Sequence, residues 1–556
     1  MKAAAAGAVG FAFPPWPVTA AASDPAGEVL YNGIRLPRPW PPRLQSLPLD
    51  PVTPPYLLQP PRTIPIDVGR QLFVDDFLIE ATSLSRTFHQ AEYYSGNPIL
   101  SPTTKWERYD EYAERTKTRS SPAAMVFSDA VLFDPSDHVF KMWYMGGYKS
   151  NTCYAISHDG LTWEKPALDV VPGTNVVITK QLRDSNTIWL DYEEKNPALR
   201  FKLAAFKEST FILYSSPDGI HWSERGESGP TGDRSTVFYN PFRRKWVYSL
   251  RDEQLGSFGR FRRYWEHADF FEGARWKAGQ PVFWAGTDSA ERRRPEFGSR
   301  PQLYNLDAAA YESVLLGLFT IWRGEGLARE KPNDVCVGFS RDGFHWSRQD
   351  RQPFIPVSER VGDWNWANVQ TAGGCCLVMG DKLYFYVSGR SGVPGTQDPG
   401  TCSTGLAILR RDGFVSMDVP GANGGAGPPR LSSPLVGRGE LLTRPVQFTG
   451  GHLFVNADPG GGTLRVAVED AGGRVIPGFD LESCAAVRGD RTAAAVKWSS
   501  ATLARLAGMP VRFRFALTSG RLYAFWVSAA ASGESGGYVA NGGPAFKGPR
   551  DMPTST

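Results

Sequence analysis

A seven-residue motif of the form S-x-D-G-x-x-W occurs three times and constrains the fold more than any other feature of the chain. The copies are SHDGLTW, SPDGIHW and SRDGFHW, which begin at Ser157, Ser216 and Ser340. In such a motif Asp accepts backbone hydrogen bonds within a turn, Gly takes the positive φ that the turn needs, and Trp anchors the following strand. The motif therefore indicates a repeated structural unit and not a repeated ligand site.

Each copy of the motif follows a strand-like segment that is rich in aromatic residues and alternates between apolar and polar residues. Another strand-like segment, which ends in a polar turn, comes before that one. Two more units fit this frame with a degraded motif. The aligned aspartates are Asp159, Asp218, Asp269, Asp342 and Asp412. Their spacing of about 50 to 75 residues is typical of one four-stranded meander per unit. The sequence predicts an all-β fold with a five-bladed β-propeller over residues 91–425, with the motif turns at its outer rim.

The segments on either side of the predicted propeller differ in composition. Residues 1–24 combine one Lys, an apolar stretch and small residues, and they resemble a secretory signal peptide. The Pro-rich residues 25–90 are expected to wrap a surface, because Pro lacks a backbone donor. In residues 430–530, apolar and polar residues alternate with period two, and this pattern predicts a β-sandwich. Residues 531–556 are rich in Gly, Ser and Pro and are predicted to form a flexible tail.

Charge and composition exclude several classes of function. The net charge is +4, so no strong field points to nucleic acid or an anionic membrane as a partner. No stretch reaches the roughly 20 apolar residues of a membrane span. The six Cys residues form no C-x-x-C pair and no His lies at ligand spacing, so no metal site is predicted, while disulfides and free thiols both remain open. We expect a secreted or periplasmic protein without a cofactor, although a structural calcium ion in the channel stays open.

Polar residues just before the first strand of each blade are expected to converge, because first strands line the central channel of a propeller. In blade order they are Asp129, Arg183, Asp184, Asp233, Arg234, Arg294, Glu296, Arg300, Trp364, Trp366, Asn368 and Gln370. Carboxylates that lie close together have split pKa values, which leaves one protonated and one ionised. Cleavage of a glycosidic bond needs such a pair. Trp offers a flat apolar face to a sugar, and Asn and Gln match its hydroxyls.

An alternative interpretation is that these acids pair with neighbouring arginines and seal the channel. Glu253 and Glu325, on loops that reach the same face, also stay open as the acid.

The five-bladed plan, the appended sandwich and the segment NPILSPTTKWE, from Asn97 to Glu107, resemble the glycoside hydrolase superfamily that contains families 32, 43, 68 and 130. The domain order is most similar to family 32, although the W-M-N-D-P-N-G sequence of that family is absent. By position, the resemblance implies Asp129 as nucleophile or base, Asp233 as transition-state stabiliser and Glu296 as acid. The resemblance to family 130 implies a role for Asp184.

The resulting hypothesis is a glycoside hydrolase that cleaves terminal glycosidic bonds in fructosides or other furanosides, with carbohydrate as its partner. A carbohydrate-binding propeller without catalysis is one alternative. A glycoside phosphorylase is another, because the arginines of the set could hold phosphate. A sialidase is disfavoured, since sialidases have six blades and the repeat predicts five. The oligomeric state is not predicted.

Overall fold

The computed structural model describes residues 27–109, 111–117, 121–179, 183–254, 259–324, 329–420 and 438–553. The predicted signal peptide at 1–24 lies outside these residues. Strands dominate the described part, and the helices are short, so the predicted all-β class is confirmed. The α-helices span Pro55–Leu58, Glu111–Thr116 and Phe270–Gly273, and the 3-10 helices span Pro197–Leu199, Pro295–Phe297 and Leu503–Leu506.

Residues 123–410 form successive antiparallel meanders, which we number as blades 1 to 5. Blade 1 has an interrupted inner strand, Ala123–Met125 and Val131–Asp134, followed by Val139–Gly146, Asn151–Ser157 and Val176–Ile178. Blade 2 contains Asn186–Leu190, Phe201–Lys207, Thr210–Ser216 and Ser223–Glu227. Blade 3 contains Thr236–Asn240, Lys245–Gln254, Gly259–His267 and Val282–Ala285. Blade 4 contains Gln302–Glu312, Val314–Trp322 and Asn333–Ser340.

Blade 5 is completed by a strand from the beginning of the chain. Its own strands are Asn368–Thr371, Leu377–Met379, Lys382–Arg390 and Cys402–Arg410, and Glu92–Tyr93 pairs with the last of them. The inner strand of blade 1 also pairs with this strand, so the last blade contacts the first. Each of the other blades contacts the next along the chain. The count of five stays a prediction, which this cycle of contacts supports.

The repeated motif forms the turn that was predicted for it. In the first copy, Asp159 Oδ1 accepts hydrogen bonds from the backbone nitrogens of Leu161 and Thr162, both at 2.7 Å, and Gly160 has a φ of 74°. The ring of Trp163 then packs edge-on against Tyr386 of blade 5, with 5.8 Å between ring centroids. The motif thus anchors one blade to its neighbour.

Two six-stranded sheets form the predicted sandwich and enclose an apolar core. One sheet contains Ile64–Pro65, Ile79–Thr82, Gly439–Thr443, Val446–Gln447, Leu464–Asp470 and Val511–Leu517. The other contains Gln71–Leu72, Ser85–Phe88, Val415–Asp418, His452–Asp458, Arg491–Val496 and Arg521–Ser528.

The sandwich thus differs from the predicted boundaries, because residues 64–88 supply strands to both sheets. Beyond the Pro-rich part of this segment, the apolar side chains of Phe73, Phe77 and Leu78 are buried in the core of the sandwich. The segment 25–90 therefore wraps a surface only in its first part.

The C-terminal residues also differ from the prediction of a flexible tail, since residues 531–553 are packed against the propeller. Tyr538–Val539 pairs with the inner strand of blade 4. Asn541 Nδ2 donates hydrogen bonds to the carbonyls of Val131 in blade 1 (2.9 Å) and Gly373 in blade 5 (3.0 Å). The tail therefore lies across the lower end of the channel, opposite the end at which the inner strands begin. Gly and Ser permit this close approach to backbone, and they do not produce disorder here.

The six cysteines are free and buried, which decides the open alternative against disulfides. Among the described residues, no helix has the length and apolarity that crossing a membrane requires. The same residues contain no group of three or more His, Cys, Asp or Glu side chains arranged to hold a metal ion.

Candidate functional site

Asp129 lies where the inner strand of blade 1 is interrupted, and it is fully buried. Arg183, just before the inner strand of blade 2, donates hydrogen bonds to both carboxylate oxygens, at 3.0 and 2.7 Å. The backbone nitrogen of Phe127 donates a third. Burial raises the pKa of Asp129, although the charge of Arg183 acts in the opposite direction. This buried ion pair joins blades 1 and 2 near the upper end of the channel.

Asp184 follows Arg183 and points among basic side chains. Its Oδ2 lies 3.6 Å from Lys149 Nζ, on the hairpin between the second and third strands of blade 1. Burial raises the pKa of Asp184, but the charges of Lys149, Arg234, Lys331 and Arg390 outweigh burial, so the pKa is lowered. Its Oδ1 is buried and accepts no hydrogen bond from the described residues. Asp184 is therefore an ionised carboxylate with one oxygen left for another partner.

Asp307 is a carboxylate that the sequence interpretation missed. It lies in the middle of Gln302–Glu312, the inner strand of blade 4, and it is almost fully buried. Its Oδ2 accepts hydrogen bonds from Ser128 (3.1 Å), from Asn305 (2.6 Å) and from the Thr371 hydroxyl. Burial raises the pKa of Asp307 to about 6 in spite of these donors. Like Asp184, it retains a buried Oδ1 without a hydrogen bond from the described chain.

Arg234 is linked to Asp307 through the hydroxyl of Ser128. Its guanidinium carbon is 3.8 Å from the ring centroid of Phe127, and Nη2 donates a hydrogen bond to Ser128 Oγ at 3.0 Å. A φ of 58° at Arg234, just before the inner strand of blade 3, turns this side chain into the channel. The positive charge of Arg234 acts to lower the pKa of both Asp184 and Asp307.

Three further charged residues come from loops that the sequence interpretation did not single out. Glu330 and Lys331 precede the third strand of blade 4, and Arg390 is the last residue of the blade 5 strand Lys382–Arg390. Arg390 Nη1 donates a hydrogen bond to Glu330 Oε1 at 2.9 Å, and Lys331 Nζ lies 3.8 Å from the same oxygen. Arg262, on the third strand of blade 3, is buried and donates a hydrogen bond to the Tyr304 carbonyl on the inner strand of blade 4. We call the full set the channel cluster; its members are Lys149, Asp184, Arg234, Arg262, Asp307, Glu330, Lys331 and Arg390.

Asp129 pairs with Arg183 outside the channel cluster, and the predicted acids Asp233 and Glu296 do not join it either. The Asp233 side chain is 42% exposed and pairs with Arg251 at 3.1 Å, and the Glu296 side chain is 52% exposed and pairs with Arg294 at 2.6 Å. Asp233 is adjacent to Arg234, but Arg234 is buried whereas Asp233 is exposed and pairs with Arg251. Glu296 belongs to a 3-10 helix several residues before its strand begins. Both acids are thus rim residues with arginine partners.

The remaining predicted residues have structural partners. The Trp364 ring lies against the backbone of Gly389 and Gly405, and Trp366 is buried with the Arg329 guanidinium 5.3 Å from its ring centroid. Neither ring is therefore placed as a free sugar platform. Arg300 is half-buried just before the inner strand of blade 4.

Asn368 and Gln370 are buried on the inner strand of blade 5. Asn368 Nδ2 donates a hydrogen bond to the Lys331 carbonyl at 2.6 Å, and Gln370 Nε2 donates one to Asn368 Oδ1 at 2.8 Å. These amides position the loop that carries Lys331. Of the alternative acids, Glu253 is paired with Arg251, and Glu325 lies outside the described residues.

The fold and the site together define a class: an all-β, propeller-type protein with an appended sandwich and a charged site at one end of its channel. No protein-family model matches the chain, and no curated protein sequence matches it. Several solved structures match the chain, at low similarity.

One is an N-acetylgalactosamine deacetylase from F. plautii in complex with blood group B trisaccharide, with 13% identity, a TM-score of 0.40, and coverage of 57% of this chain and 97% of that chain. Another is a thermostable family-43 glycoside hydrolase, with 12% identity, a TM-score of 0.37, and coverage of 57% and 98%. A third is a fructofuranosidase variant from Schwanniomyces occidentalis complexed with fructosylnystose, with 11% identity, a TM-score of 0.34, and coverage of 79% and 98%. Glycoside hydrolases recur among these structures, as the sequence resemblance predicts, but similarity at this level does not transfer an activity.

Proposed function

We propose that the protein is a glycosidase that hydrolyses terminal glycosidic bonds at the upper end of the channel. The observation that carries the proposal is a pair of buried carboxyl groups with opposite pKa shifts. The pKa of Asp307 is raised to about 6, whereas the pKa of Asp184 is lowered. Environments that separate two carboxyl pKa values in this way assign one group as acid and the other as base or nucleophile.

In this assignment Asp307 donates its proton to the glycosidic oxygen as the bond to the anomeric carbon breaks. Asp184 acts as the carboxylate, either by activating a water molecule or by attacking the anomeric carbon. Each group has a carboxylate oxygen that no described residue occupies. Asp129 takes a different role from the one implied by the resemblance, because Arg183 binds both of its oxygens.

The position of the tail supports a preference for terminal bonds. Asn541 lies across the lower end of the channel, and we propose that a glycan enters from the upper end and presents its terminus. The preference for fructosides or furanosides stays a prediction, as does export through residues 1–24.

The test is release of sugar from a panel of aryl glycosides that includes fructosides, arabinofuranosides and pyranosides. Asp307→Asn and Asp184→Asn are each expected to lower kcat by about 100-fold or more, the usual contribution of a general acid or its partner. Asp233→Asn is the matched control, since it removes an exposed carboxylate at the rim and should leave kcat within about twofold.

Full activity in both channel variants would exclude the assignment. Saccharide binding without turnover on the whole panel would instead favour the carbohydrate-binding alternative.

A further inference from the structure

Two arginines of the channel cluster are buried without a carboxylate partner. Arg234 and Arg262 are both almost fully inaccessible, and neither forms an ion pair with any acid among the described residues. Arg234 donates to Ser128 Oγ and the Phe127 carbonyl, which are neutral, and Arg262 donates to the Tyr304 carbonyl. Nε of Arg234, and Nε and Nη1 of Arg262, have no acceptor in the described chain.

The two guanidinium groups also repel each other. Burial lowers the pKa of Arg262, and the charges of Arg251 and Arg234 lower it further. Burial lowers the pKa of Arg234 as well, in spite of the nearby Asp184 and Asp307. A buried charge without a partner costs several kcal/mol in general, and an anion among these groups would remove that cost.

Basic residues nearer the upper end of the channel add to the excess of positive charge. Lys149 and Lys331 have side chains that are 32% and 44% exposed, so they can reach a ligand that enters from above. Arg390 pairs with Glu330, and Lys331 Nζ lies near the same carboxylate oxygen, so one acid serves two cations. Within the channel cluster, five basic side chains face three acids, of which Asp307 has a raised pKa.

We propose that the channel cluster binds an oxyanion, supplied as the carboxylate of a uronic acid at the glycan terminus. Guanidinium and ammonium groups form charge-assisted hydrogen bonds to carboxylate oxygens. The carboxylate would thus be held by the cations while the glycosidic bond of the same sugar lies beside Asp184. Inorganic phosphate offers the same chemistry, and the experiment separates the two sources. This inference rests on the proposed function, and it names uronides as the substrate class of that site in place of the fructosides or furanosides that the sequence predicts.

The experiment is calorimetric titration of the full chain with D-glucuronate, D-galacturonate, inorganic phosphate and neutral galactose at one ionic strength. At least one anion is expected to bind at least tenfold more tightly than galactose, and its affinity should fall as salt is added. Lys331→Gln and Lys149→Gln should each weaken that binding about tenfold, which is the effect of losing one charge-assisted contact. Lys195→Gln removes an exposed lysine after the inner strand of blade 2, at the lower end, and should have no effect.

Asp184→Asn separates this inference from the proposed function. It should abolish hydrolysis but strengthen anion binding, because it removes a negative charge next to the ligand. Tighter binding of uronate than of phosphate identifies the sugar carboxylate as the source, and the reverse order identifies phosphate. Equal or tighter binding of galactose in the native chain would overturn the inference, and hydrolysis of neutral glycosides would then still support the proposed function.

Discussion

The hydroxyl of Thr371, on the inner strand of the neighbouring blade 5, donates a hydrogen bond to Asp307 Oδ2, so Thr371→Val tests directly whether Asp307 is the acid. The bond favours the ionised carboxylate and therefore lowers the pKa of Asp307, although burial still holds it at about 6. A hydrogen bond to a charged group contributes about 1.5–3 kcal/mol, and one pKa unit corresponds to about 1.4 kcal/mol. Removal of the bond should raise the pKa by about 1–2 units, from about 6 to about 7–8.

The assay is the pH dependence of kcat/KM on the best substrate of the glycoside panel. A general acid is active while protonated, so kcat/KM falls as pH rises through its pKa, about tenfold for each further pH unit. The alkaline limb of the native protein should therefore begin near pH 6. In Thr371→Val the alkaline limb should begin about 1–2 pH units higher. The hydrogen bonds from Asn305 and Ser128 to Asp307 remain in place in this variant.

Thr187→Val is the matched control, because Thr187 is a buried threonine on the inner strand of blade 2 that does not bond to Asp307. It should leave the alkaline limb unmoved. An unchanged limb in Thr371→Val, or an equal movement in both variants, would refute the assignment of Asp307 as the acid.

Two further predictions concern stability. Arg183→Met leaves Asp129 as a buried carboxylate without its cation, which should destabilise the fold by about 3–5 kcal/mol and lower the midpoint of thermal unfolding. Addition of Asp129→Asn to this variant should restore part of the midpoint, and no recovery would contradict a role in pairing. Asp159→Ala removes two backbone hydrogen bonds from an exposed motif turn, so it should cost about 1–2 kcal/mol while kcat stays unchanged. A large loss of kcat would mean that the motif touches substrate.

The interpretation that acids and arginines only seal the channel is correct for part of the set. Asp129 pairs with Arg183, and Glu296 pairs with Arg294. Asp184 and Asp307 behave differently, because each keeps an oxygen without a hydrogen bond from the described chain. The proposed acid and base are thus the channel carboxylates that no arginine neutralises by direct pairing.

Asp307 could have been found from the sequence. In QLYNLDAAAYE it lies between Leu306 and Ala308 inside a strand-like segment that begins a blade, and an acid buried in an inner strand needs a partner or a function. Lys149, Glu330 and Lys331 carry no such signal, since they lie in hairpins whose polar residues are ordinarily exposed to solvent. Whether these three side chains meet depends on the position of each hairpin relative to the channel.

The sequence by itself determined the repeating unit, because the S-x-D-G-x-x-W turn is built from local hydrogen bonds and a positive φ that depend on a few adjacent residues. It also determined that polar segments precede the inner strands. Only the tertiary structure decided which of those side chains meet. Of the adjacent residues Asp233 and Arg234, the first is exposed and the second is buried, and the tail from 531 to 553 packs where its composition predicts disorder. Burial raises the pKa of Asp307, whereas the surrounding cations lower that of Asp184. Both effects are properties of the assembled blades and of no single segment.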